Sequence, residues 1–242
     1  MTMNIVQPIY EDNHLLIVNK PSGVLVQGDH TGDKPLVDHC KAYIKEKYNK
    51  PGDVFLGVVH RLDRPTSGAV VFARTSKALE RMNKLFKNRK VYKTYWAVVK
   101  RKPRPTQGKL AHWLKKDPDR NVTTAYDTQV EGSLRAELEY KTLGKLNDHF
   151  LVEVKPLTGR PHQIRVQLAS LGCPIRGDLR YGFAKPNPDR SINLHAKGLY
   201  FEHPVKKEPI MIRAGLPEEQ FWEQYLTLED IKVKDKNIDN IY

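Results

Sequence analysis

Cysteine is almost missing from this chain. The two present, Cys40 and Cys173, lie far apart with no CxxC pair, which excludes a disulfide framework and a thiolate metal site and suits a reducing compartment. Long apolar runs are absent as well. No stretch approaches the roughly 18 to 20 uninterrupted apolar residues of a membrane span, and Met1 to Pro8 lack a basic segment followed by an apolar one, so neither an anchor nor a leader is expected there. A cytoplasmic location follows as an expectation. Phosphate-loop and metal signatures also fail: there is no GxxxxGK[ST], no GxGxxG behind a strand, no HExxH and no GxSxG, and the nine histidines show no paired ligand spacing. No cofactor and no metal are expected, which leaves the chemistry to carboxylates, arginines, hydroxyls and aromatics.

Positive charge is what the chain has in excess. Its 242 residues include 41 Lys or Arg against 28 Asp or Glu, a formal net charge of +13 with histidines neutral. With 39% apolar residues and a mean hydropathy of −0.60, it can bury one sizeable core or two small ones. The charge is concentrated, because between Arg74 and Arg104 every charged residue but Glu80 is basic. Such a stretch attracts a polyanion, since each neutralised phosphate releases condensed counterions. A solvated helix face is the competing reading.

Apolar periodicity supplies the elements. Leu15 to Val18 reads as a buried strand entering the turn Asn19-Lys20-Pro21-Ser22-Gly23. Leu36, Val37, Cys40, Tyr43 and Ile44 recur at helical spacing, and strands are predicted at Val54–Val59 and Ala69–Ala73. Thr75 or Ser76 caps a helix whose apolar face is Ala78, Leu79, Met82, Leu85 and Phe86. Further strands are expected at Lys93–Val99, Ala136–Leu143, Phe150–Lys155, Gly198–Glu202 and Ile210–Arg213. Pro161 is expected to open a helix that Gly172 stops. Strands in close succession without regular βαβ alternation predict an α+β fold, a largely antiparallel mixed sheet with flanking helices. One compact domain over 1–242 is expected, with a frayed tail at 232–242.

The most informative segment is His60-Arg61-Leu62-Asp63-Arg64-Pro65-Thr66-Ser67-Gly68, a polar connection between two apolar strands. Turn chemistry alone explains much of it, because an Asp before Pro-Thr-Ser-Gly can accept backbone N–H groups in an Asx-type turn.

These nine residues also match the HRLDxxTSG signature of the RluA-type family of RNA pseudouridine synthases, which this chain resembles. Other matches follow in order: Asn19-Lys20-Pro21-Ser22-Gly23 with NKPxG, Lys93-Thr94-Tyr95 with KxY, and Thr158-Gly159-Arg160-Pro161-His162-Gln163-Ile164-Arg165 with TGRxHQIR. Gly177-Asp178-Leu179-Arg180-Tyr181-Gly182 is similar to GDxxYG, and Leu194-His195-Ala196 and His203-Pro204 to the closing LHA and HP segments. The resemblance covers residues 12–215.

The resemblance implies isomerisation of specific uridines in ribosomal or transfer RNA by a stand-alone catalytic domain of the pseudouridine synthase fold. It carries the role of catalytic carboxylate onto Asp63, as nucleophile or as the base that drives glycosidic cleavage. Arg165 is expected to hold Asp63 through a bidentate contact; position alone would make it a surface arginine. Tyr95 is implied to pack on the target base and to help remove the C5 proton. Arg61 is implied to fill the place of the flipped uridine and Leu194 to wall the base pocket; without the resemblance, Tyr95 and Leu194 read as core. Extrusion itself is physically required, because a stacked base hides its sugar carbon. Lys84, Lys87 and Lys90 are expected to contact RNA phosphates. A monomer without an obligate protein partner is expected.

Two departures from the family pattern stand out. Gln167 takes the place of a frequent histidine, and with the matches beginning near Asp12 no preceding S4-type RNA-binding domain is expected. Two other classes remain open: a hydrolase using a second carboxylate, for which nothing singles out Asp178 or Glu137, and an inert RNA-binding protein, against which the presence of Asp63 and Arg165 speaks.

Overall fold

The computed structural model describes residues 5–225, so the predicted frayed segment 232–242 lies outside the described residues. In chain order the elements are β1 (Pro8–Glu11), β2 (Leu15–Lys20), α1 (Leu36–Lys47), β3 (Gly57–Val58), β4 (Ser67–Ala73), α2 (Ser76–Lys87), β5 (Tyr92–Val99) and β6 (Gln107–Asp117). Then come β7 (Val122–Tyr126), β8 (Leu134–Leu146), β9 (His149–Pro156), α3 (Gln163–Ser170), a 3-10 turn at Leu179–Tyr181, β10 (Leu194–Glu202), β11 (Pro209–Arg213) and α4 (Gln220–Glu223).

The strands form one sheet in the order β1-β2-β4-β10-β5-β9-β8-β6-β7, with β3 on β4 and β11 on β10. Every pairing is antiparallel except β4 with β10, which run parallel through His195↔Ser67 and Ala196↔Gly68. The expected α+β, largely antiparallel mixed sheet is therefore what the chain forms. β4 is buried along its whole length, as a strand covered on both faces must be. Over one face α1 sets Leu36, Val37, Cys40 and Ile44 against Leu16, Val18, Val70 and Phe72. Over the other, α2 sets Met82, flanked by Leu85 and Phe86, against Leu15, Ile17, Ala69 and Val71. α3 buries Ile164 and Leu168 on Ala97, Leu138, Val152 and Val154. Tyr95 touches both the α1 cluster and the α3 cluster, at the seam between them.

The structure corrects several predicted bounds. The strand expected at Val54–Val59 shrinks to Gly57–Val58, since only those residues pair with β4. The helix expected from Pro161 begins at Gln163, because His162 caps it in the left-handed conformation with φ 53°. β1, β6 and β7 were not foreseen.

Candidate active site

The connection between β3 and β4 carries the HRLD segment, and the parallel β4–β10 junction fixes where it ends. Gly68 has φ +115° and packs so closely on β10 that a Cβ would collide with the backbone of Ala196. Ala196 is also the partner of Tyr95 on β5. One register thus sets the end of the loop beside the tyrosine.

Within the loop Leu62 is buried in the α1 cluster, Arg61 and Arg64 are exposed, and Asp63 is half-buried. The turn closes through the Asp63 carbonyl, which accepts from Thr66 N–H at 3.0 Å. Among the described residues Asp63's carboxylate accepts from Arg165 and from no backbone N–H, so the Asx reading fails. The Asn19–Gly23 loop clasps the same segment: Gly23 N–H donates to the Arg64 carbonyl at 2.8 Å, and Arg64 Nε to the Gly23 carbonyl at 2.9 Å. Lys20, fully buried, donates Nζ to the carbonyls of Val24 (2.7 Å), Pro21 (3.0 Å) and Arg64 (3.2 Å). Burial pushes its pKa down to about 7, opposed by the nearby Asp63 charge.

α3 brings the counter-charge. Arg165 NH1 donates to Asp63 Oδ2 at 3.0 Å, while Nε and NH2 grip Asp178 Oδ2 and Oδ1 at 2.7 and 2.9 Å. The bidentate contact expected at Asp63 is therefore made with Asp178, and Asp63 receives a single bond. The reason is placement: Asp178 lies in the interior with a side chain 1% exposed, whereas Asp63, at 31%, sits at the mouth. Burial works against the Arg165 charge, but Asp178 and then Asp63 outweigh it and raise its pKa. Arg165 is 5% exposed, which removes the surface-arginine reading.

His162 completes the surround. Tyr181 OH accepts from Thr123 N–H at 2.9 Å and lies 2.7 Å from His162 Nδ1. The other ring nitrogen, Nε2, lies 3.9 Å from Asp63 Oδ2. Burial pushes the His162 pKa down to about 4 against the pull of Asp63, so the ring is neutral near pH 7. The Tyr181 ring lies 5.0 Å from the Arg165 guanidinium carbon. Burial, then the Asp63 charge, raises the Tyr95 pKa well above the usual phenol value.

Of the residues singled out in sequence, the structure brings Asp63 and Arg165 into contact, with Tyr95 within reach of the Asp63 charge. Arg61 is exposed beside them. Leu194 is buried in the α3 cluster with Ile164. Lys84 and Lys90 line a cavity of about 260 Å³ with Arg81 and Lys207, between α2 and the β10–β11 hairpin. Lys87 is exposed on α2 but outside that lining. The helix is tied to the loop, since Phe86 stacks on half-buried His60 at 4.9 Å and His60 Nε2 accepts from Val71 N–H. Gln167 donates Nε2 to His112 Nδ1 at 3.0 Å. Lys20, His162, Asp178 and Tyr181 were missed as site residues, although all four lie inside the quoted motifs. No group of His, Cys, Asp and Glu suited to a metal lies among the described residues, and no described helix is long and apolar enough to cross a membrane.

A family model described as RNA pseudouridylate synthase matches residues 14–170. The ribosomal large subunit pseudouridine synthase C of Rickettsia prowazekii is 34% identical over 211 residues, covering 86% of this chain and 67% of that protein. The tRNA pseudouridine synthase C of Vibrio cholerae is 33% identical over 228 residues, covering 87% of this chain and 91% of that protein. Among solved structures, human RNA pseudouridylate synthase domain containing 4 superposes with a TM-score of 0.75 at 25% identity, covering 91% of this chain and 92% of that one.

Proposed function

Because this chain belongs to the RNA pseudouridylate synthase family, we propose that it isomerises uridines at defined positions of ribosomal or transfer RNA, with Asp63 as the catalytic carboxylate. The chain is an enzyme of that family type, and RNA is its substrate. The observation that carries the role of Asp63 is its bonding. Its carboxylate takes no part in the turn that contains it, stands at the mouth of the site and faces a guanidinium anchored from behind by Asp178.

In this reading the target uridine leaves the RNA stack, at a cost of a few kcal/mol, and exposed Arg61 occupies the space it leaves. Asp63 drives cleavage of the N1–C1′ bond, uracil turns, a C5–C1′ bond forms, and the C5 proton departs while N1 gains one. Atoms are conserved overall. Arg165 offers Asp63 a fixed positive charge, and its second carboxylate partner keeps that charge from moving when Asp63 engages the sugar. Tyr95, held neutral by burial and by Asp63, suits a wall against the base better than a free phenolate. Leu194 supplies apolar surface beneath it. Lys84, Lys87 and Lys90 attract phosphates, and the work is done by a monomer in the cytoplasm. A hydrolase would need a second carboxylate as proton donor; Asp178 is closed off by Arg165 and does not offer one.

The test is tritium release from C5-labelled, unmodified ribosomal and transfer RNA presented separately. Release from one pool supports the reading and identifies the RNA class. No release from either, with RNA bound, contradicts it.

A further inference from the structure

Among the described residues, Lys93 is a cation without a counter-charge. It lies near the start of β5, and its Nζ makes one hydrogen bond, a long one of 3.4 Å to the Thr158 carbonyl. The charged group that acts on it is another cation, Arg89, just beyond the end of α2. From the HRLD connection it faces His60, which burial and the Lys93 charge keep neutral by pushing its pKa down to about 3. Burial and Arg89 together push the Lys93 pKa down to about 8. A desolvated ammonium under the influence of a second cation is costly, and no carboxylate among the described residues offsets it. The site is nonetheless open on one side: Gly159, which is exposed, faces the ammonium, and even a Cβ there would lie 3.8 Å from Nζ. Lys93 stands two residues before Tyr95, so both point from the same face of β5 with Cα atoms about 7 Å apart. An anion on Lys93 would therefore lie about one nucleotide from the base pocket.

We propose that Lys93 and Arg89 form an anion subsite that holds an RNA phosphate flanking the target uridine. The inference rests on the reading of the chain as a uridine isomerase and adds a positioning contact to it. The phosphate supplies the counter-charge that no described carboxylate supplies, and the contact holds the RNA strand beside the pocket equally before and during the reaction.

The experiment compares wild type, Lys93→Met and Lys93→Arg on whichever RNA pool wild type turns over, measuring KM, kcat and RNA binding against salt and pH. Methionine keeps the length of the stem and removes the charge. Expected for Lys93→Met is a KM raised about tenfold, kcat within about threefold, and a salt slope for binding smaller by about one. Lys93→Arg should restore all three. Wild-type affinity should fall between pH 7 and 9 as the free ammonium loses its proton, and Lys93→Arg should lack that fall. Lys20, which also titrates in this range, is present in both proteins, so the difference between the curves belongs to position 93. An unchanged KM and salt slope in Lys93→Met, or a loss that arginine does not rescue, overturns the subsite. If wild type releases no tritium from any RNA, the isomerase reading is what fails, and the salt and pH dependence of binding still decides the subsite.

Discussion

At the scale of single residues, Arg165 is a bridge between a half-buried carboxylate, Asp63, and a fully buried one, Asp178. Asp178 takes two of its nitrogens in the interior, and Asp63 takes one at the mouth. The two contacts differ in what their loss would cost. Removing Asp63 leaves Arg165 still paired, so Asp63→Ala should unfold within about 1 kcal/mol of wild type. Arg165→Met strands the buried Asp178 carboxylate and should cost about 3–5 kcal/mol. Urea unfolding of the two variants checks this, and equal losses would mean that Asp178 has another partner. His162 and Tyr95 show the same economy of charge: burial keeps both neutral, which leaves Asp63 as the anion that the proposed function assigns to the substrate.

At the scale of elements, the parallel contact of β4 with β10 decides where the HRLD connection ends. Gly68→Ala would place a Cβ into the Ala196 backbone at a φ that L-residues rarely adopt. It should lower the melting temperature by several degrees and reduce kcat more than RNA affinity, because Ala196 is the register partner of Tyr95. A variant with wild-type stability and turnover would show that the junction does not position the site. The strands of the central sheet were legible because β2, β4, β5 and β9 carry apolar runs or clean alternation. β6 was not, since Gln107–Asp117 intersperses lysines with Leu110, Trp113 and Leu114, and its solvated face blurs the period. The start of α3 was misread because Pro161 is a good first-turn residue. The left-handed His162 forestalls a start there and turns its ring toward Asp63. Asp63 and Arg165 were legible through the motifs that contain them. The grip of Asp178 was not, because which carboxylate receives the two-pronged contact depends on depth in the fold, and spacing along the chain does not encode depth.

At the scale of the whole molecule, the net charge of +13 is not spread evenly. α2 presents Lys84 and Lys87 outward while its apolar side covers the sheet, and Phe86 joins it to His60 at the head of the HRLD connection. A polyanion drawn to this helix is drawn to an element in contact with the loop. Replacing Lys84, Lys87 and Lys90 together by Gln should weaken RNA binding and reduce its salt slope by about two to three, with kcat at saturating RNA little changed. Binding measured from low to high salt checks this, and an unaltered slope would place the RNA-binding face elsewhere.

The central claim is that Asp63 performs the chemistry while the surrounding fold positions it. Its most direct test is tritium release by Asp63→Asn, an isosteric change that keeps a hydrogen-bonding group before Arg165 and removes the charge. The account predicts no release above background, with RNA affinity within about threefold of wild type. Substantial turnover by that variant would contradict it.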